Sequence, residues 1–140
     1  MLKSELLHPD ILSALARSGH TGKILIADGN FPFGGLANPA AERVYLNLRP
    51  GMVSATDVLE TLVSAIPLEA AQAVMKADGS APCIHEDFRQ ILAGSVEMTT
   101  LALQDFYDAI QHPMLSLVIA TGEQRTYANI LLTVGVVQPD

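Results

Sequence analysis

Hydrophobic positions along the chain alternate between helical and strand-like spacing. From Leu6 to Ala16, Leu and Ile recur at helical intervals, Pro9 suits a first turn and Gly19 the position past the last, which predicts a helix of about three turns. Lys23 to Asp28 (KILIAD) is a short apolar run ending in a carboxylate, the pattern of a buried strand with parallel neighbours. The turn formers Gly29-Asn30-Phe31-Pro32-Phe33-Gly34-Gly35 then predict a loop at that strand's carboxyl end. Val44 to Leu48 alternates and predicts a second strand, closed by Pro50-Gly51. Ser54-Ala55-Thr56-Asp57 opens a helix running to about Ile66, with Val58, Leu59, Leu62 and Val63 on one face. Ala70 to Lys76 is rich in Ala, yet Val74-Met75 lies between breakers and favours a strand. Beyond a loop at Asp78 to Pro82, the pattern gives a helix over Ile84–Ala93, a strand over Val96–Leu101 and a helix over Gln104–Gln111 ended by Pro113. Leu115–Ala120 and Asn129–Val134 read as the last two strands. Strands alternating with helices predict one α/β domain over residues 1–140, three-layered, with a largely parallel sheet and helices on both faces.

Composition adds two expectations. Apolar residues make up 49% of the chain and charged residues 16%, with aromatics at 5% and no Trp, so the core is aliphatic and some apolar surface is left over for contacts between copies. A homo-oligomer is therefore expected. The net charge of -7, with eight scattered Lys and Arg, opposes binding to a phosphate backbone, so no nucleic-acid partner is expected. Cys83 stands alone, which fits a reducing compartment. Neither a leader pattern nor an apolar run approaching ~18 residues occurs, so the expectation is a cytoplasmic protein with no membrane partner.

Open α/β sheets hold ligands at the carboxyl ends of their strands, which draws attention to Asp28. His20 precedes the same strand, in Ser18-Gly19-His20-Thr21-Gly22. A six-residue strand spans about 20 Å, so within one subunit the two side chains lie at opposite ends. If they serve one site, a second subunit supplies one of them. Each also has a plain structural reading: a His after a helix can interact with the helix dipole, and a strand-terminal Asp can cap a loop. Asp57, three residues after Ser54, is explained by a capping box. Tyr107, beside Phe106 on a short helix, reads as a half-buried core tyrosine. Tyr127 and Asn129, flanking Ala128 after the polar stretch Thr121–Thr126, offer a phenol and an amide able to bond a polyol, or simply to satisfy a loop. His8, His20, His85 and His112 show no His/Cys pairing at metal-ligand spacing, no phosphate-cradling glycine motif or GxSxG elbow occurs, and nothing near Cys83 activates a thiolate. Neither a metal nor a cofactor is expected.

Taken in order, Gly19-His20, Ile26-Ala27-Asp28-Gly29-Asn30-Phe31-Pro32, and Thr121 to Leu132 (TGEQRTYANILL) with Gly135-Val136 resemble the fucose mutarotase and ribose pyranase family nearly end to end. Asn30-Phe31-Pro32 and Phe106-Tyr107 are more similar to the fucose branch. The resemblance implies His20 as proton donor, Asp28 as a substrate-binding carboxylate, and Tyr127, Ala128 and Asn129 as the sugar-contacting Tyr-small-Asn motif. It further implies a second site tyrosine at Tyr107 and a helix-start aspartate at Asp57. Five-membered rings, often doubled to ten, with sites between subunits, are implied too. One departure stands out: where the family carries Arg or His, this chain has Leu103.

The implied chemistry is interconversion of the anomers of a monosaccharide similar to L-fucose by acid–base ring opening and closure. His20 would protonate the ring oxygen and Tyr127 or Tyr107 would carry the complementary proton, while Asp28, Asp57, Ala128 and Asn129 hold hydroxyls. An imidazole, whose ordinary pKa is near ~6.5, serves as acid or base at neutral pH. Pyranose–furanose interconversion of D-ribose in the same pocket, and a non-catalytic sugar-binding role accessory to transport, are the alternatives.

Overall fold

The computed structural model describes residues 1–140. Helix α1 (Pro9–Ser18) begins where Pro9 needs no hydrogen-bond acceptor for its nitrogen, and His8 caps it through an Nδ1 that accepts from the Ile11 N–H at 3.4 Å. It stops at Gly19, whose φ of 67° is readily reached by glycine. Strand β1 (Lys23–Ala27) follows, then a long loop, β2 (Glu42–Tyr45), α2 (Ala55–Ala65) and β3 (Leu68–Val74). The chain continues through α3 (His85–Leu92), β4 (Met98–Leu101), α4 (Leu103–Ala109), β5 (Leu115–Ala120) and β6 (Ile130–Val134). The capping box expected at α2 is present: Ser54 Oγ accepts from the Asp57 N–H and Asp57 Oδ2 from the Ser54 N–H, each at 3.1 Å.

All six strands form one sheet in the order β2-β5-β1-β6-β3-β4. The β1–β5, β2–β5 and β3–β4 ladders are parallel, whereas β6 runs antiparallel to both its neighbours, β1 and β3. On one face, Ile24, Ile26 and Leu132 pack against Ile11 and Ala14 of α1, Val58, Leu59 and Leu62 of α2, and Phe88 and Leu92 of α3. On the other, Leu25, Ala27, Val118 and Leu131 pack against Phe106 and Ile110 around α4 and against Phe31, Ala37 and Ala41 of the loop after β1. The sheet is therefore covered on both faces, the second as much by loop as by helix.

Some ends shift by two residues, β3 to Leu68–Val74 and the start of β4 to Met98, and two larger differences stand out. The second strand ends at Tyr45 rather than running on to Leu48. Its position is fixed from the other side, by Arg43, whose guanidinium donates to the carbonyls of Phe33, Ala37, Asn38 and Ala41 and ties β2 to the preceding loop. Beyond Tyr45 the chain turns back on itself through hydrogen bonds between Leu48 and Met52 and between Val53 and Leu46. The other difference is the direction of β6, which the alternation of strands and helices did not specify. No helix is long and apolar enough to cross a membrane.

Candidate active site

The antiparallel β1–β6 pairing creates the chemistry at the carboxyl end of β1. Ile26 faces Ile130 across the ladder, so the residues just past β1 meet those just before β6. Asp28, 3% exposed, lies at this junction. Its backbone N–H donates to Asn129 Oδ1 at 2.8 Å. In return its Oδ2 accepts from the Ala128 N–H at 3.1 Å and from Asn129 Nδ2 at 3.2 Å, while Oδ1 accepts from the Asn30 N–H at 2.9 Å. Burial raises the Asp28 pKa above the ordinary carboxylate value, and the N–H groups of Asn30 and Ala128 and the Asn129 amide oppose that rise only in part.

Tyr127 precedes this cluster with φ of 58°, a left-handed conformation that bulky side chains rarely adopt. Its ring packs on the second hydrophobic cluster together with Tyr107, Leu103, Phe33 and Leu36. The structure thus places Asp28, Ala128 and Asn129 in one hydrogen-bonded unit and both tyrosines on the adjoining apolar cluster. Leu103 presents an aliphatic side chain to that same cluster. Beside this junction, a polar cavity of about 420 Å³ is lined by Gly29, Asn30, Asn47, Arg49, Thr121 and Gln124, among others.

The loop carrying Tyr127–Asn129 is held by a clamp that sequence reasoning missed. Glu123 is 5% exposed, and its carboxylate takes bonds from Arg125 Nε and Nη2 at 3.0 Å each and from the Ala55 N–H at the start of α2 at 3.2 Å. Arg125 reaches on to Asp87 of α3 at 2.6 Å. Burial alone would raise the Glu123 pKa; the Arg125 bonds outweigh it and hold the carboxyl below its ordinary value. Gly122, before it, lies so close to the carbonyls of Arg49 and Met52 that an added Cβ would fall within 2.5 Å of both oxygens. The run Glu-x-Arg was visible in the sequence, but only the fold shows what it grips.

His20 and Asp57 are elsewhere. Asp57 caps α2 and borders an apolar cleft of about 180 Å³ with Leu6, Leu7, Leu46 and Val53, on the opposite face of the sheet from the tyrosines. His20 stands at the amino end of β1, and the five residues of that strand, about 17 Å long, separate it from Asp28. The four histidines are distinguishable by their partners. His8 and His112 accept from backbone N–H groups of Ile11 and Met114, and buried His85 bonds the Val74 carbonyl. His20 is half-exposed, with Nε2 at 2.7 Å from Glu69 Oε2.

The RbsD / FucU transport protein family matches residues 1–137, and the chain belongs to that family. It is 30% identical over 138 residues to a D-ribose pyranase of Clostridium botulinum, covering 98% of this chain and 99% of the relative. It is 31% identical over 144 residues to the fucose mutarotase of Homo sapiens, covering 94% and 90%. Among solved structures, Bacillus subtilis RbsD complexed with D-ribose aligns with a TM-score of 0.82 at 28% identity, covering 99% of this chain and all of that one. The Streptococcus pneumoniae fucose mutarotase in complex with L-fucose aligns with a TM-score of 0.83, also at 28% identity and with the same coverage.

Proposed function

We propose that the chain is a cofactor-independent sugar isomerase that opens and recloses the ring of a monosaccharide, with an L-fucose-like sugar as the first candidate. The observation that carries the reading is the Asp28–Ala128–Asn129 unit beside Tyr127 and Tyr107, which offers hydroxyl-bonding groups against an aromatic wall. Family membership and relatives named for ribose pyranase and fucose mutarotase activity support it.

In this mechanism protonated His20 gives its proton to the ring oxygen. The bond between that oxygen and the anomeric carbon breaks, its electron pair staying on the oxygen. The phenol oxygen of Tyr127 or Tyr107 accepts the anomeric hydroxyl proton as its own passes to solvent, leaving an aldehyde. Rotation and the reverse transfers close the ring on the other face. Asp28, the Ala128 backbone and Asn129 hold sugar hydroxyls, and Asp57, on the other face of the sheet, joins them only from a different copy. General acid–base catalysis of this kind supplies roughly 10²–10⁴-fold in rate, enough for a reaction that already proceeds in water.

His20 and Asp28 act in one site only if different copies supply them, so the proposal includes a ring of five subunits or its doubled form, with sites between neighbours. Apolar side chains exposed along residues 45–53, among them Tyr45 at 60% and Leu48 at 78%, support contact between copies. A cytoplasmic setting belongs to the same reading, with the single cysteine in its favour. Relatives named D-ribose pyranase support a second reading, in which the sugar is ribose and the products are pyranose and furanose forms; Leu103, matching neither branch of the family, does not choose between the two. Saturation-transfer NMR of anomeric protons tests both. Enhanced exchange with L-fucose, abolished in His20→Ala, is the expected result; faster pyranose–furanose exchange of D-ribose alone would select the second reading. Sugar binding with no added exchange would overturn both in favour of an accessory binding role.

A further inference from the structure

We propose that Glu69 is the positioning residue for His20, holding the imidazole so that Nδ1 is the nitrogen presented to the sugar. The inference rests on the reading of His20 as the proton-transfer group.

It is drawn from how the pair is built. His20 lies between two residues in the left-handed region, Gly19 and Thr21, each with φ of 67°. For a β-branched residue such as Thr21 that conformation is strained and persists only where the surroundings impose it. Here the Thr21 N–H donates to the Val134 carbonyl at 3.0 Å, and the Gly22 carbonyl accepts from the Val134 N–H at 2.9 Å. Glu69 is fixed by the same stretch of chain. In the β3–β6 ladder Leu68 pairs with Val134 and Ala70 with Thr133, so Glu69 is the extra, unpaired residue of a bulge. Bulges turn a side chain away from the alternation of its strand. The bulge is closed by the Gly135 N–H donating to the Pro67 carbonyl at 2.8 Å, and a Cβ on Gly135 would meet Glu69 N at 3.3 Å. Val134 and Gly135 therefore set both the turn bearing the imidazole and the bulge bearing the carboxylate.

The pair is half-exposed, and exposed ion pairs contribute little to stability. Its consequence is chemical. An ionised carboxylate only accepts, so the 2.7 Å contact requires the proton on Nε2 and leaves the neutral ring with a bare Nδ1. When Nδ1 gains a proton, the carboxylate stabilises the resulting cation. Other charged groups at this end of the sheet are engaged elsewhere: Lys23 Nζ donates to Thr133 Oγ1 at 2.9 Å, and Arg17 pairs with Glu42 at 3.0 Å.

The test uses the full-length protein with ¹⁵N-labelled histidine, the His20 signals being assigned by their loss in His20→Ala. The expected ring spectrum of the neutral form shows Nε2 protonated and Nδ1 bare, with this preference lost in Glu69→Gln. In anomeric exchange, Glu69→Gln is expected to lower kcat roughly tenfold with KM changed less than about twofold. Glu69→Asp should restore part of the rate. A wild-type ring protonated on Nδ1, or a Glu69→Gln variant with unchanged tautomer and rate, overturns the proposal. Because the ring spectrum is read without substrate, it separates failure of the pairing from failure of the functional reading. If His20→Ala exchanges sugar as fast as wild type, the proposed role of His20 falls, and that of Glu69 in catalysis with it.

Discussion

The two ends of strand β1 are built on opposite plans. At the carboxyl end Asp28 is buried and takes three N–H donors, and an Arg–Glu clamp fixes the loop that faces it. At the amino end His20 and Glu69 are half in solvent and share one contact, held in place by backbone turns rather than by packing. The difference matches what each end is asked to do in the proposed reaction. Groups that hold hydroxyls gain from rigidity, while a group that passes protons needs access to solvent and substrate.

Substitutions should expose this contrast. The largest effect is expected at Asp28. Asp28→Ala leaves the buried Ala128 N–H and Asn129 amide, and the part-buried Asn30 N–H, without this acceptor and should cost on the order of 3 kcal/mol in chemical denaturation, along with all enhanced exchange. Glu69→Ala at the other end should change stability by less than about 0.5 kcal/mol while still slowing exchange. Equal stability losses at the two positions would erase the contrast.

Next in size is Arg125→Ala, which strands the nearly buried Glu123 carboxylate. A loss of about 1–2 kcal/mol is expected, less than for a fully enclosed pair because the Arg125 side chain is 34% exposed. The Glu123 pKa is lower in the folded than in the unfolded chain, so the clamp's contribution is complete above the ordinary value of 4.5 and fades as the pH falls through the folded value. Denaturation midpoints followed from pH 7 to pH 3 should show wild type and Arg125→Ala converging at the acidic end.

A smaller effect belongs to His85. Its Nε2 bonds the Val74 carbonyl at 3.0 Å, its Nδ1 has no partner, and burial pushes its pKa below the ordinary 6.5. The unfolded chain therefore binds a proton that the folded chain resists, so stability falls as the pH drops below about 6.5. His85→Gln keeps an N–H donor for Val74 without a titrating ring. It should flatten that part of the stability–pH curve while changing stability at pH 8 little.

How much of this was legible in the sequence depends on how local the cause was. The first helix, the KILIAD strand and the Ser54–Asp57 capping box were readable because a few neighbouring residues decide them. The separation of His20 from Asp28 followed from strand length alone. The bonding of Asp28 to Ala128 and Asn129 was hidden, because it depends on β6 running antiparallel between β1 and β3, a choice made between segments about a hundred residues apart. Glu69 was hidden for the same reason: in Pro67-Leu68-Glu69-Ala70 nothing marks a bulge until the partner strand is known. Leu103 was legible as a departure from the family pattern, and the fold adds that it packs with Tyr107 and Tyr127.

The central claim is that one copy's imidazole works against another copy's carboxylate, and co-expression of His20→Ala with Asp28→Asn tests it most directly. Each variant alone should leave anomeric exchange at the uncatalysed rate. In randomly mixed rings, about a quarter of the sites combine an intact His20 with an intact Asp28, so exchange should return to about that fraction of wild type. Mixed assemblies as inactive as either parent would contradict the account.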